Sequence, residues 1–297
     1  MKYLAKQLTP PALRPFIKSL FARTYLTNPK LARAAIGEVT EEMRARIDDV
    51  LACPDNQYIP RAPKAGVLDG YQITMHNGVK VCAHGYFGAG ALNMLLETGG
   101  VHEPQEERAF ERLITWLPER PVMLELGACW AYYSLSLLQA RSMASCYMVE
   151  PDRFNMVAGK LNFKINGRKG HFTRAWVDEH PKRNPRTISI DSFCAQHAIE
   201  RLHILHSDIQ GYELPMLKGA QTMLSQQRVD YVFISSHSNE LHEACRAELV
   251  KHRYVILASA NLDESYSVDG ILVAKREALP TPEPIEISLK PPRKSAS

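Results

Sequence analysis

Residues 121–160 read PVMLELGACWAYYSLSLLQARSMASCYMVEPDRFNMVAGK. Four apolar residues, Val122 to Leu124 and Leu126, run into Gly127. An amphipathic stretch follows, then a second apolar strand, Cys146 to Val149, which ends on Glu150. Strand, turn, helix, strand and acid in that order are the layout of a nucleotide-type cofactor site on a parallel sheet. The turn brings bare backbone to the ligand, which calls for a residue without a side chain at Gly127. An acid about 20 residues on, at the end of the second strand, is placed to accept from both ribose hydroxyls, and Glu150 holds that position.

The turn is not of the dinucleotide kind. That kind needs G-x-G-x-x-G, so that a pyrophosphate can sit on the helix N-terminus. Here ELGACWAYY has one glycine, and Glu125 stands two residues before it. A carboxylate there repels a pyrophosphate and attracts an ammonium group. The pattern favours S-adenosylmethionine (SAM), which carries an amino-acid tail and no phosphate. A buried β–turn–α unit without a ligand would read similarly, so the remainder of the chain has to decide.

Length and composition set the bounds. A chain of 297 residues can hold one sizeable domain plus extensions. Its 45% hydrophobic and 23% charged residues are ordinary for a globular protein. No apolar run approaches the ~20 residues that span a bilayer. The N-terminus is interrupted by Pro10, Pro11 and Pro15 and reads poorly as a signal peptide, so a cytoplasmic protein is expected. The cysteines at 53, 82, 129, 146, 194 and 245 are not spaced as metal ligands, and reduced thiols without a metal are expected. Seven Lys/Arg precede the first acid, Glu38, within a net charge of +4. This leader reads as a solvated helix face, or as a weak contact for an anionic membrane surface. No nucleic-acid-binding motif accompanies it, and no nucleic-acid partner is expected.

Three regions follow. Residues 1–104 read as a helical and β-hairpin extension. Asn28-Pro29 starts one helix, Val39, Met43, Ile47 and Val50 recur at helical spacing, and 71–83 alternate about Asn77-Gly78, a type I′ turn signal. Residues 105–276 alternate strand and helix: strands at 122–126, 145–149, 171–177, 187–190, 202–208, 230–236, 254–261 and 268–275, with a helix at 212–226 among the connections. This predicts an α/β fold with a mostly parallel sheet. The last two strands have no helix between them, so the final strand should be antiparallel. Residues 277–297 are rich in proline and should be extended or disordered.

Ligands of open α/β sheets lie at the carboxyl ends of the strands. Those ends carry Glu125 and Gly127, Glu150, Trp176, Asp208 with Gln210, and His237 with Asn239. Asp208 and His237 at adjacent strand ends could handle a proton, with His237 neutral near pH 7 as the base. His237 could equally cap a helix. Before the first strand, GVHEPQEE reads either as a helix start with Pro104 in its first turn, or as a wall of His102, Glu103 and Gln105 on the substrate side.

These segments resemble the FkbM-type methyltransferase family. The resemblance rests on ELGACWAYYS, EPDRFNMVAGKLNFKING, TISIDSF and SDIQGYELPMLKGA, and covers roughly residues 53–276. Ala131 stands where the family has its second turn glycine, Cys129 where it has an asparagine, and Gln210 where it has a glutamate. The resemblance implies a Rossmann-like methyltransferase, with a seven-stranded sheet whose last strand is antiparallel, and SAM as cofactor. It implies cofactor contacts from Glu125, Gly127, Cys129, Tyr132, Glu150, Trp176 and Asp208, and a substrate side at His102, Glu103, Gln105 and Gln210. The reaction implied is O-methylation of a hydroxyl on a sugar, glycolipid or related small molecule. An N-methyltransferase or a non-catalytic binding protein are the alternatives. SDIQGYE lacks the Asn/Asp-Pro-Pro-Tyr pattern of many N-methyltransferases.

Overall fold

The computed structural model describes residues 21–280 and 284–291; most of the basic leader lies outside them. The extension opens with helices α1 (Ala22–Leu26), α2 (Pro29–Ala34) and α3 (Glu41–Ala52). Asn28 caps α2 by accepting from the Lys30 and Leu31 amides, with Pro29 in the first turn, and Thr40 caps α3 through the Met43 amide. Strands β1 (Leu68–Asp69), β2 (Gln72–Thr74) and β3 (Lys80–Cys82) form an antiparallel meander. The expected β2–β3 hairpin is present, but its turn is not type I′. That type needs positive φ at both central residues, and Gly78 (φ 88°) has it while Asn77 does not. Asn77 instead donates to the Ser136 hydroxyl (2.9 Å) and ties the hairpin to the main domain.

Helix α4 (Ala89–Glu97) was not legible in the sequence. Its AGALNMLLE is apolar on nearly every side, and Ala91 to Leu95 are all buried, so no periodicity marks it. Helix α5 (Pro104–Ile114) then leads into the main sheet.

The following elements are β4 (Val122–Leu126), α6 (Tyr132–Ala140), β5 (Ser145–Val149), α7 (Arg153–Ile165), β6 (His171–Thr173), β7 (Trp176–Val177), β8 (Thr187–Ile188) and α8 (Ile190–Gln196). After them come β9 (Leu202–Ser207), α9 (Glu213–Lys218), α10 (Gln221–Ser225), β10 (Val229–Ser236), α11 (Asn239–Lys251), β11 (Tyr254–Ala260) and β12 (Gly270–Arg276). Seven strands lie in the order β11-β12-β10-β9-β4-β5-β6. The last, β12, inserts between β10 and β11 and runs antiparallel to both. Five parallel strands lie to one side of it. This is the expected α/β sheet with an inverted final strand.

Alternation along the strands sends side chains to two cores. Met123, Tyr231 and Phe233 pack with α5 and α6 in one; Leu124, Leu126, Val232 and Ile234 pack with α8, α9 and α11 in the other. The first core also takes in Ile47, Val50, Met75 and Leu92, so the extension shares the main domain's interior. Helix α1 packs on α7 through Ala22 and Leu26.

Two details differ from expectation, and the tail takes one of its two expected states. The strand expected at 171–177 breaks after Thr173, and β7 pairs instead with β8 in a separate two-stranded sheet. The helix expected at 212–226 breaks at Gly219, where a Cβ would come within 2.8 Å of the Asp178 carbonyl oxygen. The tail is extended over 284–291 but firmly packed. Ile285 is buried and its amide donates to Leu257 O (2.8 Å). Both the amide and the hydroxyl of Ser288 donate to Asp55, which is fully buried. Among the described residues, no helix is long and apolar enough to cross a membrane.

Candidate active site

The turn between β4 and α6 is wound tightly. Gly127 (φ 66°), Cys129 (φ 45°) and Ala131 (φ 59°) all adopt the left-handed conformation. A Cβ at Gly127 would run into the carbonyl oxygen of Asp208, at the end of the neighbouring strand. The glycine is therefore needed for the sheet to close, before any ligand is considered. Cys129 and Ala131 hold left-handed φ without being glycine, which stores backbone strain in the turn.

Below the turn lies an open cavity of about 270 Å³. Gly127, Cys129, Glu150 and Asn155 line it. Val149, Val177 and Ile209 give it apolar walls, and Asp208 and Gln210 also line it. Three exposed aromatic side chains, Phe87, Trp176 and Tyr212, stand at its rim. The Glu150 carboxylate accepts from the amides of Cys129 (2.9 Å) and Asp152 (2.7 Å). Burial raises its pKa, and these amides pull the other way. A carboxylate has about four acceptor sites, so capacity remains for a ribose hydroxyl beside these amides and the Asn155 side chain.

This donor set fits SAM. Glu150 can take a ribose hydroxyl, the apolar walls and Trp176 suit an adenine, and the backbone of 127–129 can meet the amino-acid end. Of the residues expected to hold it, Gly127, Cys129, Glu150, Trp176 and Asp208 line this one cavity, as does Gln210 from the expected substrate side. Glu125 and Tyr132 do not. Glu125 is buried in the sheet face and accepts from the Ser134 amide (3.1 Å) in the first turn of α6. Tyr132 is buried among the rings of His102 and Trp130.

His237 and Asp208 do meet, but in a different electrostatic state from the one expected. His237 Nε2 lies 3.2 Å from Asp208 Oδ1 and 3.3 Å from Asp269 Oδ1, and Nδ1 lies 2.9 Å from Glu213 Oε1. Burial lowers the ring's pKa, but these carboxylates outweigh it and push it up to about 10. His237 therefore carries its proton at neutral pH and cannot serve as the base there. The Gln210 amide nitrogen is 2.9 Å from Asp208 Oδ1 and 2.7 Å from His237 Nε2. It could donate to a neutral ring, but would face a protonated one donor to donor. Three carboxylates outweigh one amide, and the amide can turn. Asp269, beside them, has its pKa pushed up to about 6 by burial and by the charge of Asp208, against the opposing pull of His237.

Asp269 and Glu213 were not singled out in the sequence. Because β12 is antiparallel, its start lies at the same sheet edge as the ends of the parallel strands; reading that start would have found Asp269. Phe87 and Asn155 carry no comparable sequence signal.

The residues of GVHEPQEE are not at the cavity. His102 Nδ1 is 2.5 Å from Glu107 Oε1, and Glu103 Oε2 accepts from the Tyr133 hydroxyl (2.9 Å). Burial, only partly offset by His102, pushes Glu103 up to about 7. Gln105 is a latch. Its amide nitrogen donates to Ser288 O (2.6 Å) and Glu264 O (3.2 Å), and its oxygen accepts from the Tyr266 amide (2.8 Å). The wall expected at His102, Glu103 and Gln105 is thus a buried layer under α5.

Residues 130–256 match the family model described as the methyltransferase FkbM domain. A comparison with curated proteins finds no match. Among solved structures, the chain is similar to M. capricolum TrmK in complex with S-adenosyl-homocysteine. The identity is 12%, covering 57% of this chain and 68% of that one, with a TM-score of 0.42. It is also similar to a precorrin-6y C5,15-methyltransferase from Geobacter metallireducens GS-15, at 11% identity, 58% and 89% coverage, and a TM-score of 0.41. The family match spans the α6–β11 region that carries the Glu150 acid and the Asp208–His237 strand ends, so this part of the chain is similar to the methyltransferase FkbM domain, and the chain is a SAM-dependent methyltransferase.

Proposed function

We propose that the chain methylates a hydroxyl of a sugar, glycolipid or related small molecule. The observation that carries this reading is the carboxylate group around His237, one member of which, Asp208, lines the cofactor cavity. SAM supplies an activated methyl group, so the protein's own work is to orient the acceptor and take up its proton. A hydroxyl is a weak acid and benefits from a base within hydrogen-bond reach. Asp208 and Asp269, bridged by His237 Nε2, form the proton-accepting pair in this reading. The imidazolium holds the two carboxylates in place, and Asp269, at about 6, stays ionised near neutrality. Asp208 faces the cavity directly.

The test is transfer of tritiated methyl from SAM into cell-envelope glycan fractions. Label should appear in alkali-stable ether linkage on a glycan. Asp208→Asn and Asp269→Asn should each lower kcat by ~10²-fold or more while SAM still binds. Label on nitrogen, or full activity in both variants, would sink the reading.

A further inference from the structure

One buried row of charges takes no part in this chemistry. Glu106 of α5, His206 of β9 and Glu125 of β4 lie side by side beneath the cofactor turn, none more than 5% exposed. His206 Nε2 is 2.6 Å from Glu106 Oε1, and the Ser235 hydroxyl donates to Glu106 Oε2 (3.0 Å). Glu125 and His206 are register partners across the parallel β4–β9 pair, so their side chains rise from the same face one strand apart. Beyond Glu125 the row ends at the Ser134 amide. The ring of Tyr133 lies 4.3 Å from the imidazole, and that of Phe233 lies 6.1 Å away.

Buried acids need a compensating charge or hydrogen bonds. Only a protonated imidazole answers two of them. Burial lowers the His206 pKa, but Glu106, Glu125 and Asp208 raise it further. His206 Nδ1 has no hydrogen-bond partner, so the link to Glu125 is charge attraction across the strand pair. Its neighbours on this side are aromatic rings, and filling such a core does not call for a charged side chain. What the charge adds is a fixed orientation for Glu125, which in turn fixes the first turn of α6. That helix turn directly follows residues 127–131, whose left-handed backbone is strained and needs an anchor.

We propose that Glu106, His206 and Glu125 are positioning residues for the cofactor, holding the 127–131 turn in its binding geometry from behind. The inference rests on the cofactor assignment alone. Its test uses S-adenosyl-homocysteine without acceptor, so its failure is separate from that of the glycan reading.

His206→Phe keeps a ring and removes the charge. Calorimetry should show S-adenosyl-homocysteine affinity lowered at least tenfold. If that variant does not fold, Glu106→Gln combined with His206→Phe removes one of the two acids, and the same loss is expected. In the unmutated protein, the ¹⁵N resonances of the His206 imidazole should move when the ligand is added, a response that a filler of the core would not give. Unchanged affinity in a folded variant lacking His206, or imidazole resonances that ignore the ligand, would overturn the proposal.

Discussion

Glu150 and His237 carry the sharpest expectations at the scale of single residues. Glu150→Ala removes the acceptor for a ribose hydroxyl, and hydrogen bonds to a charged group contribute ~1.5–3 kcal/mol. SAM affinity should fall at least tenfold by calorimetry; an unchanged constant would take Glu150 out of the site. His237 makes a prediction about pH. With a proton held until about 10, it does not set the acid limb of the rate. That limb should lie near 6, where Asp269 loses its charge, and activity should be flat through 7. If His237 were the base, activity would appear only as pH approaches 10. The same ring contributes to stability. Its folded pKa is raised, so its contribution is fully present below 6.5 and is lost between 6.5 and about 10. The melting temperature should decline across that window, and His237→Phe should flatten the decline. Glu150, Gly127 and Asp208 were legible because they end strands, and strand ends face the ligand. Glu125 was misread because it sits one residue inside β4. There a side chain still stands perpendicular to the sheet and goes under a helix. The charge state of His237 was hidden because two of its three carboxylates, Glu213 and Asp269, were not recognised as neighbours.

Among the elements, the β4–α6 turn and the end of β9 form one mechanical unit. Gly127→Val would drive a side chain into the Asp208 backbone, at a φ that β-branched residues rarely adopt. Sequence alone suggests a folded protein that has lost its cofactor. The packing instead predicts loss of the fold, seen as insoluble protein or a collapsed melting transition; a folded, stable variant would contradict it. Most of the sheet could be read from short apolar runs alternating with helix-length segments, because central parallel strands are buried on both faces. Helix α4 could not, since a helix buried all round has no stripe. The break between β6 and β7 was equally silent: His171 to Val177 is continuously strand-like, and only pairing with β8 divides it.

The molecule as a whole is closed by its tail. Ser288 makes three hydrogen bonds to the buried Asp55, which also pairs with Arg108 (2.6 Å), and Ile285 fills the core beside β11. Ending the chain at residue 280 should destabilise it by about 3 kcal/mol or more. Differential scanning calorimetry should show a melting temperature lower by at least ~6 °C; an unchanged transition would mean the tail is dispensable. This closure also has a meaning in time. Asp55 is 233 residues ahead of the serine that covers it. At ~5–20 residues per second, a ribosome needs roughly 12–47 s to span that distance. For that interval the nascent extension carries a carboxylate that its finished form keeps from water. Translation therefore imposes an order: a segment made well before the tail is among the last to be sealed. Chains stalled at residue 280 should be cut by protease near Asp55, whereas released full-length chains should resist.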